Sequence, residues 1–590
     1  MTRAACCCAP RATCCGTSPG NRAPSACRGA DMAEAIDQRE GIGRKDLRII
    51  RERFLALHKI RIERIRGELR HTQQIVIELI PLLFHINHPL LPGFINSDTP
   101  AGLPDYAPDR DTILAAKSLC RSFAPERKAH RRFNILGLYL MGSIGSIGHT
   151  SGSDFDIWLC HDPRLAPDEV EALRQKAARL EAWAAELALE VHFFLVNVET
   201  FRTGKRDSLS HESSGSSEPH LLLEEFYRTA VMLAGRPPLW WFIPPSEEEN
   251  YRAYADMLID KRFVDASDYL DFGGLEALPA GEFFGAAHWQ LYKGIHSPYK
   301  SVLKLLLTES YAQEFPSIRW ICQEIKQAVY DGTTEETELD PYVLMYRRVE
   351  RYLRRREETN RLDLARRCFY FKTGQHLSRG GAGASERWQR QLLRKLVGEW
   401  DWSQARLFGL DSRQQWSINE VQEERNLLVR ELTHSYRLLT DFARTHGRGH
   451  RIDPTELSLL GRKLYTALEK RPGKIDHINP GITRDLSERQ ISLHRVRAGG
   501  GAHWQLYLGN IDEDEAEVTR ASKTTNSLVE MLAWCLINGV IDQGTRFSLY
   551  PSGGPVTQEE LHALTEIIRQ QVALHKAHAE VPPEQLLAQP

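Results

Sequence analysis

The amino-acid sequence predicts an α+β protein: a mixed β-sheet with flanking helices, then a large helical domain, then a smaller mixed α/β C-terminal region. Three observations carry that prediction. Between 134 and 198, short apolar runs such as LYLM, FDIWL and VHFFLV surround one segment of helical spacing. From 220 to about 410 the spacing is predominantly helical. From Trp416 another long helix begins, and strands and helices then mix as far as Leu549.

The elements follow in order along the 590 residues, a length that suggests three or four domains. Residues 1–31 hold six of the eleven cysteines, in runs such as Cys6-Cys7-Cys8 and Cys14-Cys15, among Pro, Gly, Arg and Ala. No apolar core follows the first basic residue, so a secretory signal is not expected, and the runs do not match zinc-site spacings. A disordered extension is expected there, with Met32 as an alternative start. Residues 32–130 form a helical N-terminal segment. In it, 44–83 reads as one long charged helix with Ile50, Phe54, Leu57, Ile65 and Leu69 at helical spacing, closed off by the Pro-rich stretch 89–108. Residues 131–203 are the mixed sheet, with a helix over 168–187 and a strand over 189–196. The Ser- and Gly-rich segment 204–219 reads as a mobile loop. Residues 220–410 are the helical domain and 411–590 the C-terminal region, whose tail beyond 580 is Pro/Gln-rich and expected to fray.

Composition excludes some classes. A hydrophobic content of 42% with 26% charged residues is ordinary for globular chains. The net charge of −2 advertises no nucleic-acid or membrane-surface partner. No apolar run approaches the roughly 18 residues of a membrane span; the best, 75–84, carries Glu78 and Pro81. The five cysteines beyond the extension stand singly, which suits reduced thiols in a cytoplasmic protein.

The most informative stretch is Gly142-Ser143-Ile-Gly-Ser-Ile-Gly-His-Thr-Ser-Gly-Ser153-Asp154-Phe-Asp156-Ile-Trp158. It reads as a Gly-Ser turn, a flexible Gly/Ser loop, then two carboxylates two residues apart on a strand. Alternate side chains on a strand share a face, so Asp154 and Asp156 project together while Phe155, Ile157 and Leu159 pack on the other side. Adjacent like charges are best tolerated with a cation between them. Hard divalent ions such as Mg2+ bind through one or two carboxylates plus substrate phosphates. Glu190, at the start of the next strand, is placed to supply a third carboxylate, with His192 on the same face. Trp158 falls on the Asp156 face, as pocket lining or as core.

The pattern of Gly-Ser, about ten residues, Asp-x-Asp and a later acid resembles the nucleotidyltransferase superfamily of the DNA polymerase beta type. The runs LYLMGSIGSIGHTSGSDFDIWLCHDP, LEAWAAELALEVHFFLVNVETFR, HLLLEEFYRTAVMLAGR and FGAAHWQLYKGIHSPYKSVLKLLL resemble the catalytic domain of class I adenylate cyclases of the enterobacterial type. So do LDPYVLMYRRVERYL, TNRLDLARRCFYFK and RKLYTALEKRPGKIDHINP, and the resemblance covers most of the chain from near Leu57.

The resemblance implies that the sheet is a nucleotidyltransferase palm and that the helical domain completes a nucleotide site. It implies conversion of ATP to 3',5'-cyclic AMP and pyrophosphate, with the ribose 3'-hydroxyl attacking the α-phosphate. Two Mg2+ ions, with Mn2+ as the substitute, would sit on Asp154 and Asp156, with Glu190 joining at one of them. Gly142 and Ser143 would meet the triphosphate, Gly by close backbone approach and Ser by its hydroxyl, with amides from a following helix; Ser153 lies in the same loop. Arg228, Arg236, Lys293 and Lys300 are the cations singled out for the phosphates, although surface charge is the default for the 76 Lys and Arg residues. Arg366 and Arg367 read more simply as a salt-bridged helix. Family members carry a long regulatory C-terminal half, of which this chain, ending at Pro590, would hold the beginning. A phosphotransferase-system regulator is therefore a partner expectation tied to no residue. Two other readings stay open: a catalytically silent nucleotide-binding regulator, and a nucleotidyltransferase acting on a separate acceptor.

Overall fold

A computed structural model describes residues 35–38, 41–124, 132–203, 219–275, 278–333, 337–380, 387–446, 474–498, 501–551 and 555–577. The expected Cys-rich extension, all but the last residue of the loop 204–219 and the C-terminal tail beyond 580 lie outside them.

The first sheet has the order β3-β2-β1-β4, built from β1 (Ile135–Met141), β2 (Phe155–His161), β3 (Val191–Asn197) and β4 (Val231–Gly235). β2 and β3 run parallel, joined by a helix over Pro167–Glu186, while β1 is antiparallel to both β2 and β4. Parallel neighbours need such a crossover, which explains a 20-residue helix between them. The fourth strand lies beyond the expected boundary at 203: β4 falls inside the stretch read as predominantly helical. It is five residues long and lies across the segment 204–218, so local periodicity does not announce its pairing with β1.

Both faces of this sheet are buried. Ile135, Leu138 and Leu140 of β1 and Phe155, Ile157 and Leu159 of β2 pack with Val76, Ile80, Phe84, Leu173 and Leu180. Tyr139 and Met141 of β1 and Trp158 and Cys160 of β2 pack into the main helical core. The long helix expected over 44–83 is two helices, α1 (Arg44–Glu68) and α2 (His71–His85). Leu69 and Arg70 are extended, and Gln73 caps the new start by accepting from Arg70 N at 3.2 Å. The break lets Phe54 and Leu57 of α1 serve one face of the sheet and Val76 to Phe84 of α2 the other.

The helical body includes α3 (Pro219–Thr229), α4 (Ala280–Lys293), α5 (Pro298–Glu314), α6 (Pro341–Arg355), α7 (Thr359–Thr373) and α8 (Ile418–His446). Pro at the first turn starts α5 and α6, and Asp340 caps α6 by accepting from Tyr342 N and Val343 N. The helix α8 was expected to open the C-terminal region. It packs instead on α4 and α7, with Phe442 5.0 Å from Phe283 and Glu431 accepting from Arg361 at 2.8 Å. Beyond it a second four-stranded sheet (Gln490–Ala498, Gly501–Leu508, Lys523–Thr525 and Arg546–Tyr550) packs with helices Leu528–Ile537 and Gln558–Ala577, giving the mixed C-terminal region. The five cysteines among the described residues are buried and free, and no described helix is long and apolar enough to cross a membrane.

Candidate active site

β1 ends at Met141, and Gly142 turns the chain with φ +89. A Cβ at Gly142 would meet nothing within 4 Å, so glycine is required by the backbone and the space in front of it is open. Gly142 N donates to Thr229 Oγ1 at 3.2 Å, which fixes the turn against the end of α3.

The residues after it do not form a flexible loop, nor does a helix start there to offer free amides. Three hydrogen-bonded turns follow: Ser146 N to Ser143 O, His149 N to Ser146 O and Ser153 N to Thr150 O. Ser143 to His149 are buried. Ile147 N donates to Asp340 Oδ2 at 2.8 Å, and a Cβ on Gly148 would stand 2.8 Å from the Tyr342 ring. The small residues of this loop thus serve close packing on α1 and α6. Ser143 and Ser153 do meet: Ser143 Oγ donates to Ser153 Oγ at 3.4 Å, and Thr150 N donates to Ser153 Oγ at 3.1 Å.

Asp154 is exposed just before β2, and Asp156 is half-buried within it. Asp156 is registered between Met141 and His192, and Phe155 N donates to Glu190 O at 2.9 Å. Glu190 therefore lies beside Asp154 across the parallel pair. Its side chain is 68% exposed and its carboxylate is 3.3 Å from His192 Nε2. Among the described residues no three His, Cys, Asp or Glu side chains gather closely enough to hold a metal by themselves. One exposed and one half-buried aspartate, two residues apart, still fit the mode in which Mg2+ uses one or two carboxylates and takes its other oxygens from water and phosphate.

Burial raises the Asp156 carboxyl above its ordinary range; Asp154 and Glu225 push the same way, while Lys300 and His192 oppose them. Three lysines surround this acidic end of the sheet. Lys300 of α5 is exposed and acts on Asp156 and Glu225. Lys304, one turn on, donates to Glu225 Oε1 and Oε2 at 2.9 and 3.0 Å. Lys372, in the last turn of α7, donates to Gly148 O at 2.8 Å and Ser143 Oγ at 3.4 Å. Burial lowers Lys372 to about 7; Lys300 and Lys304 add to this and Asp154 opposes it. Burial alone would raise Glu225, but Lys304, Arg228 and Lys300 bring it down to about 2.

The other expected cations are elsewhere or engaged. Arg228 is buried, its Nε donating to both Glu224 oxygens at 2.9 and 3.2 Å, with Tyr311 closing the pair. It tunes Glu225 and does not face open space. Arg236 follows β4 and its N donates to Leu136 O, near the start of β1, so it stands at the opposite end of the sheet from Gly142. Lys293 lies 5.0 Å over the Trp289 ring of its own helix. Trp158 is core, 4.7 Å from Phe226 and stacked on it. Arg366 and Arg367 are salt-bridged, to Glu350 and Glu424. Lys304 and Lys372 were not singled out from the sequence. Lys304 had a legible signal, four residues after Lys300 on one helical face; Lys372 had none.

The sheet end therefore carries paired aspartates, a fixed Gly-Ser turn and a ring of lysines, an arrangement suited to a polyanion brought in with divalent ions. Comparison with known proteins places the chain in a family. The family models "Adenylate cyclase NT domain", "Adenylate cyclase, class-I, second domain" and "Adenylate cyclase, class-I, third domain" match residues 46–241, 278–479 and 486–576. The adenylate cyclase of Salmonella typhimurium is 40% identical over 508 residues, 85% of this chain and 60% of its own length. That of Escherichia coli K12 is 39% identical over 523 residues, 88% and 61%, and that of Pasteurella multocida 39% over 508, 83% and 59%. The chain belongs to the class-I adenylate cyclase family. It spans about 60% of the length of the curated relatives it matches. No solved structure matches it.

Proposed function

We propose that this chain converts ATP to 3',5'-cyclic AMP and pyrophosphate, within the cytoplasm, on a nucleotidyltransferase-type palm. The observation that supports this best is the convergence of Asp154, Asp156, Ser143, Ser153, Lys300, Lys304 and Lys372 at one end of the first sheet, in a chain of this family. Asp154 and Asp156 would hold Mg2+, or Mn2+ in its place. When bound, two such ions supply charge neutralisation for the attacking and leaving oxygens.

The protein's own groups do the rest. Gly142 lets the triphosphate approach the turn, and the Ser143 and Ser153 hydroxyls donate to its oxygens. Lys300, Lys304 and Lys372 meet the charge that grows on pyrophosphate as it leaves. Glu190, an exposed carboxylate beside Asp154, takes the proton from the ribose 3'-hydroxyl, and His192 steadies it. The 3'-oxygen bonds to the α-phosphorus as the bond to the bridging oxygen breaks. Positioning and electrostatics suffice because the nucleophile belongs to the substrate. Adenine selectivity and a phosphotransferase-system regulator of the C-terminal region belong to the same reading by family.

Incubating the full chain with ATP and Mg2+, then Mn2+, and separating the products tests the proposal. Cyclic AMP with equimolar pyrophosphate is the expected result. Nucleotide binding without product would show a silent relative. Product only with an added acceptor would show a transferase.

Lys372 supplies a pH prediction. Folded, it titrates at about 7; unfolded, at the ordinary lysine value near 10.5. Between these values the unfolded chain binds more protons, so this group makes the nucleotide-free protein more stable as pH rises through that window. A triphosphate beside Lys372 favours its charged form. Binding of a non-reactive ATP analogue at about pH 8 is then expected to take up about one proton at this site. Calorimetry in buffers of different ionisation enthalpy reads that uptake. Lys372→Arg should remove it, because guanidinium stays charged throughout. Equal uptake in parent and variant would take Lys372 out of the site.

A further inference from the structure

A cavity of about 250 Å³ opens between the end of α4, the turn into α5, α8 and the segment 474–482. Its wall is largely apolar, with Leu291, Leu428, Leu432 and Ile478 contributing. Arg425 of α8 also lines it. That guanidinium is half-buried and makes no hydrogen bond or ion pair among the described residues. The buried carboxylates on the same helix are engaged, Glu424 by Arg367 and Glu431 by Arg361. A guanidinium half withdrawn from water against an apolar wall suits a planar carboxylate carrying an apolar body. The volume lies just under the roughly 300–1,000 Å³ of drug-sized sites, so the body must be small.

The cavity also touches the turn that leads to the candidate active site. His296 and Pro298 line it, and Pro298 is the first residue of α5, two residues before Lys300. The segment 474–482 grips that turn from outside. Gly481, at φ +69, approaches so closely that a Cβ there would stand 2.4 Å from His296 O. The cavity thus shares part of its wall with the turn that begins α5 and leads to Lys300.

We propose that this cavity binds a small amphipathic monocarboxylate, its carboxylate on Arg425 and its chain among the leucines, and that occupancy is coupled to nucleotide binding through the turn before Lys300. The coupling rests on Lys300 facing nucleotide, as proposed above; the binding does not.

Octanoate is titrated into the full chain by calorimetry, with octanol as the uncharged control. Saturable binding at one site is expected, weakened by about ten-fold or more for octanol, for Arg425→Gln and for Val429→Trp, which fills the cavity from α8. Melting curves like the parent's show that both variants fold; if one does not, the other and the octanol control decide. No saturable octanoate binding, or equal binding by octanol and by both variants, overturns the site. With octanoate bound, the affinity for a non-reactive ATP analogue should shift at least about two-fold in the parent and not in Arg425→Gln. An unmoved affinity overturns the coupling. Failure of the analogue to bind at all counts against the nucleotide reading and leaves the octanoate titration to stand or fall alone.

Discussion

Asp154→Asn combined with Asp156→Asn is expected to lose cyclic AMP formation by about 10³-fold or more while the chain stays folded. The size follows from removing both carboxylates that would hold divalent ions against the phosphates. The retained fold follows from the position of these groups. Asp154 is exposed, and Asp156 is raised by burial and by its acidic neighbours, so its ionised form is a cost to the nucleotide-free protein. A carboxyl raised in the folded state loses its stabilising share as pH climbs through that raised value. The melting temperature of the double variant should therefore equal or exceed the parent's at neutral pH. The difference should shrink as pH falls through the ordinary aspartate range, where Asp156 becomes protonated in the unfolded state as well as the folded one. Activity retained within about ten-fold would move the chemistry elsewhere. A clear drop in melting temperature would make the aspartates structural.

Much of this site was legible because its chemistry is local in sequence. Alternation on one strand places Asp154 and Asp156 together and Phe155, Ile157 and Leu159 opposite, and the structure packs those three into one core and Trp158 and Cys160, from the Asp156 face, into the other. Glu190 follows from where the next strand begins. The lysines show where such reading stops. Lys372 stands 229 residues from Ser143 and reaches it only because α7 ends at that spot, capped by Gly374 in the left-handed conformation. Arg236 shows the reverse. It follows the first sheet in sequence, but β4 is antiparallel to β1 and carries the chain away from the Gly142 end. Small residues misled in a different way: Gly145 and Gly148 suggest mobility, yet they let the loop close on Arg61 and Tyr342.

Arg361→Ala is expected to destabilise the helical body by about 3–5 kcal/mol, because it leaves buried carboxylates without their counter-charge. Arg361 Nη2 donates to Glu309 Oε1 and Oε2 at 2.8 and 2.9 Å, and Nε donates to Glu431 Oε1 at 2.8 Å. The Glu309 side chain is fully withdrawn from solvent, and Tyr352 donates to its second oxygen at 2.8 Å. Burial would lower the arginine, yet Glu431 and Glu309 hold it well above its ordinary range. One guanidinium thus joins α5, α7 and α8, with Tyr352 adding α6. Arg361→Lys should recover only part of the loss, since an ammonium cannot reproduce the planar fork that meets two carboxylates at once. Glu309→Gln added to Arg361→Ala removes the more deeply buried of the two charges left behind and should restore more. Urea unfolding followed by tryptophan fluorescence measures these differences, and a loss under about 1 kcal/mol would reduce the network to surface value. The consequence reaches the candidate active site: α5 carries Lys300 and Lys304, and α7 carries Lys372. Arg361→Lys, folded but loosely joined, should therefore raise KM for ATP more than it lowers kcat, because what it disturbs is the register of three lysines around a phosphate chain.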